Sequence, residues 1–341
     1  MNCLMNFNLS LVYNIDYRWI KEGDKKFMID SFLGALSPLL MLFLCMLSGY
    51  LLNKLKLMPE ATATVLSKCE KYLFMPALGY ATFSKYCTVA TISENANIVI
   101  YSMIAITIAI IIAMPLSKAF EKHDLNQRNI YKYALVFANH GFMGNAIVPL
   151  VLGGQEHLYK YLLFTLPLNF LTYIWGINIL TPKELRSGSL LKNLLNAPMV
   201  GMLLGMVVGL TGTQKLMPGF IITTVESLQN CMGPVAMILT GFVIGNYSFK
   251  SLLSQKKVYI VTALRLVALP VVILTILLLC GANEYIMMLS LFAYATPLGL
   301  NTVVFPAIYG GDTQTGASMA MISHVFCVIT IPVMYGLLTL L

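Results

Sequence analysis

Stretches of about 20 consecutive, mostly apolar residues recur from residue 31 to the C-terminus, and a helix of that length crosses roughly 30 Å of hydrocarbon. Peptide groups inside lipid have no water to pair with, so such a chain is restricted to helices or a closed barrel. The runs are far too long for barrel strands, which need about 10 residues. Composition agrees: hydrophobic residues fill 58% of the 341 positions and charged residues 11%, against about 25% charged in a soluble domain. The mean hydropathy is +0.78. The expected fold is an all-α, multi-pass protein of the cell membrane.

Spans are predicted at 31–53, 62–84, 97–117, 131–153, 158–180, 196–211, 222–246, 258–280, 285–309 and 317–340. Lys68, Glu70 and Lys71 interrupt the second and Glu226 lies near the start of the seventh, so an eight-span reading omits those two. Residues 1–30 form an N-terminal extension without signal-peptide order, because Arg18, Lys21, Lys25 and Lys26 follow its mildly apolar part. Translation from Met1 and from Met28 are both compatible with it. The seven cysteines show neither CxxC spacing nor histidine pairing and read as small buried apolar residues. No cofactor, metal or nucleic-acid partner is indicated.

The net charge of +8 is informative through its distribution. Placing segments 54–61, 118–132, 181–195 and 247–257 on one side collects most of the loop Lys and Arg, while the opposite loops hold Lys85, Lys160 and Lys215. The basic side is the cytoplasmic one by the positive-inside rule. With ten spans, both termini then lie outside.

The chain also repeats itself. Pro149 with Gly153-Gly154 matches Pro306 with Gly310-Gly311, and Pro38 with Gly49 matches Pro198 with Gly209 at equal internal spacing. Two five-span halves, 31–180 and 196–341 joined by a cytoplasmic linker at 181–195, enter the membrane from opposite sides and so form an inverted repeat. The fourth and ninth spans, equivalent in that scheme, both carry helix-spoiling residues: NHGFMGNAIVP and TPLGLNTVVFP. Proline removes a backbone donor and clashes with the preceding turn, so breaks are expected at Pro149 and Pro306. Half-helix ends facing each other near the midplane suit a small anion. The candidate binding residues are Asn139, His140, Gly141, Gly144 and Asn145 in the first break, and Pro297, Gly299, Asn301 and Thr302 in the second. The plainer reading is a kinked core helix whose Asn side chains satisfy neighbouring carbonyls; its occurrence in both halves favours the site.

Those same residues carry a resemblance. Asn139, Gly141, Phe142, Met143 and Gly144, then Gly153-Gly154, and in the second half Pro297, Asn301, Tyr309-Gly310, Asp312, Ala317-Ser318 and Ile331-Pro332 resemble the auxin efflux carrier family of permeases, which includes the plant PIN-type transporters. The resemblance implies ten helices in two inverted five-helix repeats with crossing broken helices, similar to bile acid symporters and sodium/proton antiporters. It also implies carboxylate-type organic anions as substrates and a static scaffold able to form a homodimer. Where the family has Gly-aliphatic-Pro this chain has Gly144-Asn145-Ala146, and where it has Ser-Thr this chain has Ser323-His324.

Paired acidic residues of the kind that hold a cation at low dielectric are not found in the broken segments, which favours uniport, anion exchange or weak proton coupling. Glu70, Glu226 and Asp312 read as interfacial or solvated; Arg265, the one strong cation inside a span, reads as snorkelling toward the cytoplasmic face from a position two turns beyond Lys257, with attraction of the substrate as the alternative. His324 reads as a satisfied core residue and His140 as a candidate for substrate or proton. Gly201, Gly205 and Gly209, with Gly241 and Gly245, have the spacing that lets helix backbones approach, within the chain or across a homodimer. No Walker A segment, HExxH or Ser/His/Asp constellation occurs. The expected function is therefore non-enzymatic: a secondary transporter for a small organic anion, with a non-transporting sensor or an anion channel as the alternative.

Overall fold

Peptide groups in the apolar runs pair inside their own segments, as lipid demands. In the computed structural model, which describes residues 22–181, 184, 195–299, 301–303 and 313–340, the described residues are helical apart from connections and one isolated antiparallel bridge. The helices are α1 (Glu22–Lys54), α2 (Thr62–Cys69 and Met75–Tyr86, joined by a π turn at Glu70–Phe74), α3 (Ala96–Phe120), α4 (Leu125–Val136) and α5 (a π turn at His140–Gly144, then Asn145–Val151). They continue with α6 (Gln155–Leu180, with a π turn at Thr172–Gly176), α7 (Ala197–Thr211), α8 (Gly219–Gly245), α9 (Lys256–Leu279, with a π turn at Leu264–Ala268), α10 (Glu284–Tyr294) and α11 (Gln314–Leu338). Side-chain oxygens cap the starts: Asp124 accepts from Asn126 and Gln127, Asn196 from Met199, and Asn283 from Ile286.

Among the described residues, six helices are long and apolar enough to cross a membrane unaided: α1 from Lys26, α3, α6, α8, α9 and α11. The seventh predicted span, α8, is among them despite Glu226. The sixth and ninth are shorter apolar helices, and the fourth is divided into α4 and α5. α1 begins at Glu22, earlier than predicted, so part of the expected N-terminal extension is helical. Leu44, Ile100, Ile111, Val207, Leu279 and Ile329 point outward, an exterior suited to lipid.

Composition divides the packing into two regions. α1 lies against α8 and α2 against α7 along glycine stripes. A Cβ on Gly241 would sit 1.7 Å from the Met46 carbonyl oxygen, one on Gly49 2.0 Å from that of Ile238, and one on Gly201 2.4 Å from that of Pro76. A Cβ on Gly205 or Gly209 would also lie under 3.0 Å from the Tyr80 or Phe83 carbonyl oxygen, and one on Gly245 2.7 Å from the Asn53 side chain. The glycine faces are thus consumed within the chain, and a partner helix approaching α7 meets Leu203, Leu204 and Val207. The remaining helices gather in a second group, α3 to α6 with α9 and α10, where the Ser102 hydroxyl donates to the Phe164 carbonyl; α11 joins that group and also lies along α1.

Three of the four basic segments meet at one end of the molecule. Lys54 Nζ donates to the Tyr247 carbonyl at 2.8 Å, and Lys257 Nζ donates to the Phe120 carbonyl at 2.8 Å and pairs with Glu121 at 3.2 Å. Lys183, Arg186 and Lys192 of the fourth lie outside the described residues.

Candidate functional site

The first interruption is short and extended. The Phe137 N–H closes α4 on the Tyr133 carbonyl, and helix resumes at His140. Between them Ala138 pairs with Leu298 in an antiparallel bridge, and the Asn139 N–H donates to the Pro297 carbonyl at 2.8 Å. Pro297 has no N–H to continue α10. Gly299 lies beside the Ala138 carbonyl, the Leu298 N–H donates to Ser323 Oγ at 2.9 Å, and the Thr302 hydroxyl donates to the Gly299 carbonyl at 2.9 Å. Backbone groups freed by the two breaks are therefore satisfied partly by each other.

This corrects the expected break at Pro149. That residue sits inside the helical segment Asn145–Val151, and the chain unwinds upstream at Phe137–Asn139, where the partner strand offers backbone hydrogen bonds that a lone proline kink would lack. Pro306, Tyr309, Gly310-Gly311 and Asp312 lie outside the described residues.

Side chains at the crossing are buried and paired. Asn139 Nδ2 lies 3.3 Å from His324 Nε2, whose Nδ1 is 2.6 Å from the Ala320 carbonyl. This is a neutral tautomer with Nδ1–H donating and Nε2 accepting. His140 Nδ1 approaches the Ala138 carbonyl and its Nε2 the Asn169 amide, both at 3.1 Å. Asn145 Nδ2 donates to the Gly141 carbonyl at 2.7 Å, and Asn301 Nδ2 to the Tyr133 hydroxyl at 2.7 Å. A Cβ on Gly144 would lie 2.0 Å from the Tyr161 hydroxyl and so displace it from the His140 and Phe292 carbonyls, between which its one hydrogen is shared. Gly141 has room for a Cβ, the nearest atom being Met75 Cε at 3.6 Å. Two amide oxygens, Asn139 Oδ1 and Asn145 Oδ1, are buried without a partner.

Asn145 lines a cavity of about 170 Å³ between α5, α1, α2 and α8, together with Pro149, Gln155, Gln229 and Asn230. A second cavity of about 190 Å³ shares Gln155, Gln229 and Asn230 and extends to Lys85 and Glu226. The Gln229 Nε2 to Gln155 Oε1 hydrogen bond, 2.9 Å, lies in the lining common to both.

Two ionisable residues are placed differently from expectation. Glu70 is buried, with neither carboxyl oxygen hydrogen-bonded, while Glu226 is exposed as expected. Arg265 does not snorkel: it is 0% exposed. Its Nη1 donates to the Leu135 carbonyl at 3.1 Å, its guanidinium carbon lies 5.3 Å from the centre of the Tyr294 ring, and Nε and Nη2 have no partner. Tyr133, Tyr161 and Asn169 also belong to the crossing and carried no sequence signal; Ser323, noted only through the family resemblance, belongs to it too. His324, read as a satisfied core residue, is buried with both ring nitrogens paired, one of them with Asn139.

A sequence model for a family described as membrane transport protein matches the chain twice, over residues 35–188 and 184–335. No curated protein matches it.

Proposed function

We infer, from a chain that belongs to the membrane transport protein family, the auxin efflux carriers, and is therefore a multi-pass membrane transporter, that it moves a small organic anion by alternating access at the crossing of its two interrupted helices. What carries this reading is the bridge between Ala138 and Leu298 with the Asn139-to-Pro297 hydrogen bond. It brings irregular backbone from both halves to one buried point, where transporters keep their sites. The two adjoining cavities, one lined by Lys85 and Glu226 and the other by Asn145, with Gln155, Gln229 and Asn230 common to both, offer an approach. The unpaired oxygens of Asn139 and Asn145 suit hydroxyl or N–H groups on the substrate. In the same reading the chain is ten spans in two inverted five-span halves, with 118–132 and 181–195 cytoplasmic and both termini outside.

Counterflow tests it. Proteoliposomes loaded with an unlabelled mono- or dicarboxylate should transiently accumulate the labelled form; leakage without accumulation indicates a channel, and no movement a sensor. Cysteines introduced at 118–132 and 181–195 should react only from the cytoplasmic side. Reaction from opposite sides removes the inverted repeat.

A further inference from the structure

An anion at the crossing needs donors, and the amide nitrogens there are already used inside the protein: Asn139 on His324, Asn145 on Gly141, Asn301 on Tyr133. The charged donor left over is Arg265. Its Nη1 is held by Leu135 in the last turn of α4, and its plane covers Tyr294, the last residue of α10. The guanidinium therefore touches the ends of both helices that break. Among the described residues the ion pairs are Lys160–Glu156 and Lys257–Glu121, so no carboxylate neutralises it there. The unpartnered atoms, Nε and Nη2, form the side-on edge of the guanidinium, whose two parallel N–H bonds match a carboxylate. The Tyr294 hydroxyl, also buried without a partner, adds a neutral donor.

We propose that the Nε–Nη2 edge of Arg265 receives the carboxylate or sulfonate of the transported anion, in a conformation that uncovers this edge. The proposal rests on the transport reading above and names the group that meets the substrate's charge. The competing role, a cation that only offsets the negative ends of two half-helices, leaves the side-on edge without a function. It also predicts that substrate charge is irrelevant to the effect of replacing Arg265.

The experiment uses the full chain, in nanodiscs for equilibrium binding and in proteoliposomes for counterflow, with a panel of mono- and dicarboxylates and an aryl sulfonate, each paired with its neutral amide, read for wild type, Arg265→Gln and Arg265→Lys. Loss of a bidentate charged contact should weaken anion binding roughly 10-fold or more in Arg265→Gln, with the neutral amide unaffected or bound better. Arg265→Lys, which keeps the charge and loses the fork, should be intermediate. Anion affinity within about twofold of wild type in folded Arg265→Gln, or equal losses for anion and amide, overturns the proposal while wild-type counterflow leaves the transport reading standing. Should Arg265→Gln not fold, Arg265→Lys decides, unchanged anion affinity overturning the proposal. A wild type that binds and moves no member of the panel defeats the transport reading and this inference together.

Discussion

The glycine-lined contacts of α1 with α8 and of α2 with α7 differ in kind from the crossing of the two interrupted helices. In the first, backbone meets backbone so closely that a single added carbon has nowhere to go. In the second, backbone is irregular, amide and guanidinium atoms are buried without partners, and polar cavities adjoin. Close packing has one arrangement and resists deformation. A region with unfilled hydrogen-bond capacity has more than one way to be satisfied, and a ligand shifts it only by binding one arrangement better than another. On the proposed reading, the glycine stripes are the frame and the crossing is the working part.

The strongest test of that division is Gly241→Leu, whose Cβ alone would lie 1.7 Å from the Met46 oxygen. Overpacking against rigid backbone should cost about 3 kcal/mol or more, seen as loss of monodisperse protein or a large fall in thermal midpoint, while Gly219→Ala, with nothing within 4 Å, should be silent. Next is Asn139→Asp, which should leave the thermal midpoint near wild type but weaken anion counterflow by roughly 10- to 100-fold, as expected for a misplaced charge at a buried polar contact. Unfolding of this variant would make the crossing part of the frame. Gln229→Leu removes one hydrogen bond beside the two cavities and should change the transport rate about fivefold at most, without moving the midpoint.

The smallest effect belongs to neither region. Glu121, in the connection between α3 and α4, accepts from the His123 and Asp124 N–H groups and pairs with Lys257, which holds its pKa down to about 2 from an ordinary 4.5. A carboxyl lowered on folding stabilises fully above its unfolded pKa and loses that contribution as pH falls through the folded value. The difference in midpoint between wild type and Glu121→Gln should therefore shrink as pH drops from about 4.5 to about 2; a constant difference would mean that the contact adds nothing on folding.

What could be read from sequence depended on whether the signal was local. Apolar length marked the helices, and basic composition marked three segments that do gather at one end through Lys54 and Lys257. Asn139 was found because it begins a run of helix-spoiling residues. The pairings around the two breaks were not, since Tyr133, which meets Asn301, Asn169, which meets His140, and His324, which meets Asn139, are ordinary members of helices and come together only through folding. Glu70 and Arg265 were assigned to the wrong environment because they were judged by position along the chain, which does not say which side of a helix faces the protein interior. Both lie in π turns. His140 opens a third such turn. Proline was the misleading local cue: Pro149 is accommodated near the end of a short helix, and the unwinding occurs where another chain segment can replace the lost hydrogen bonds.

A ladder of several paired residues fixes both the distance and the tilt between two segments. Among the described residues Ala138 and Leu298 form an isolated bridge, which by itself constrains position far more than angle. In the proposed alternating-access cycle it would serve as a pivot, and because the neighbouring hydrogen bond uses backbone atoms, rotation about it would make no demand on side-chain identity at those two residues beyond their size.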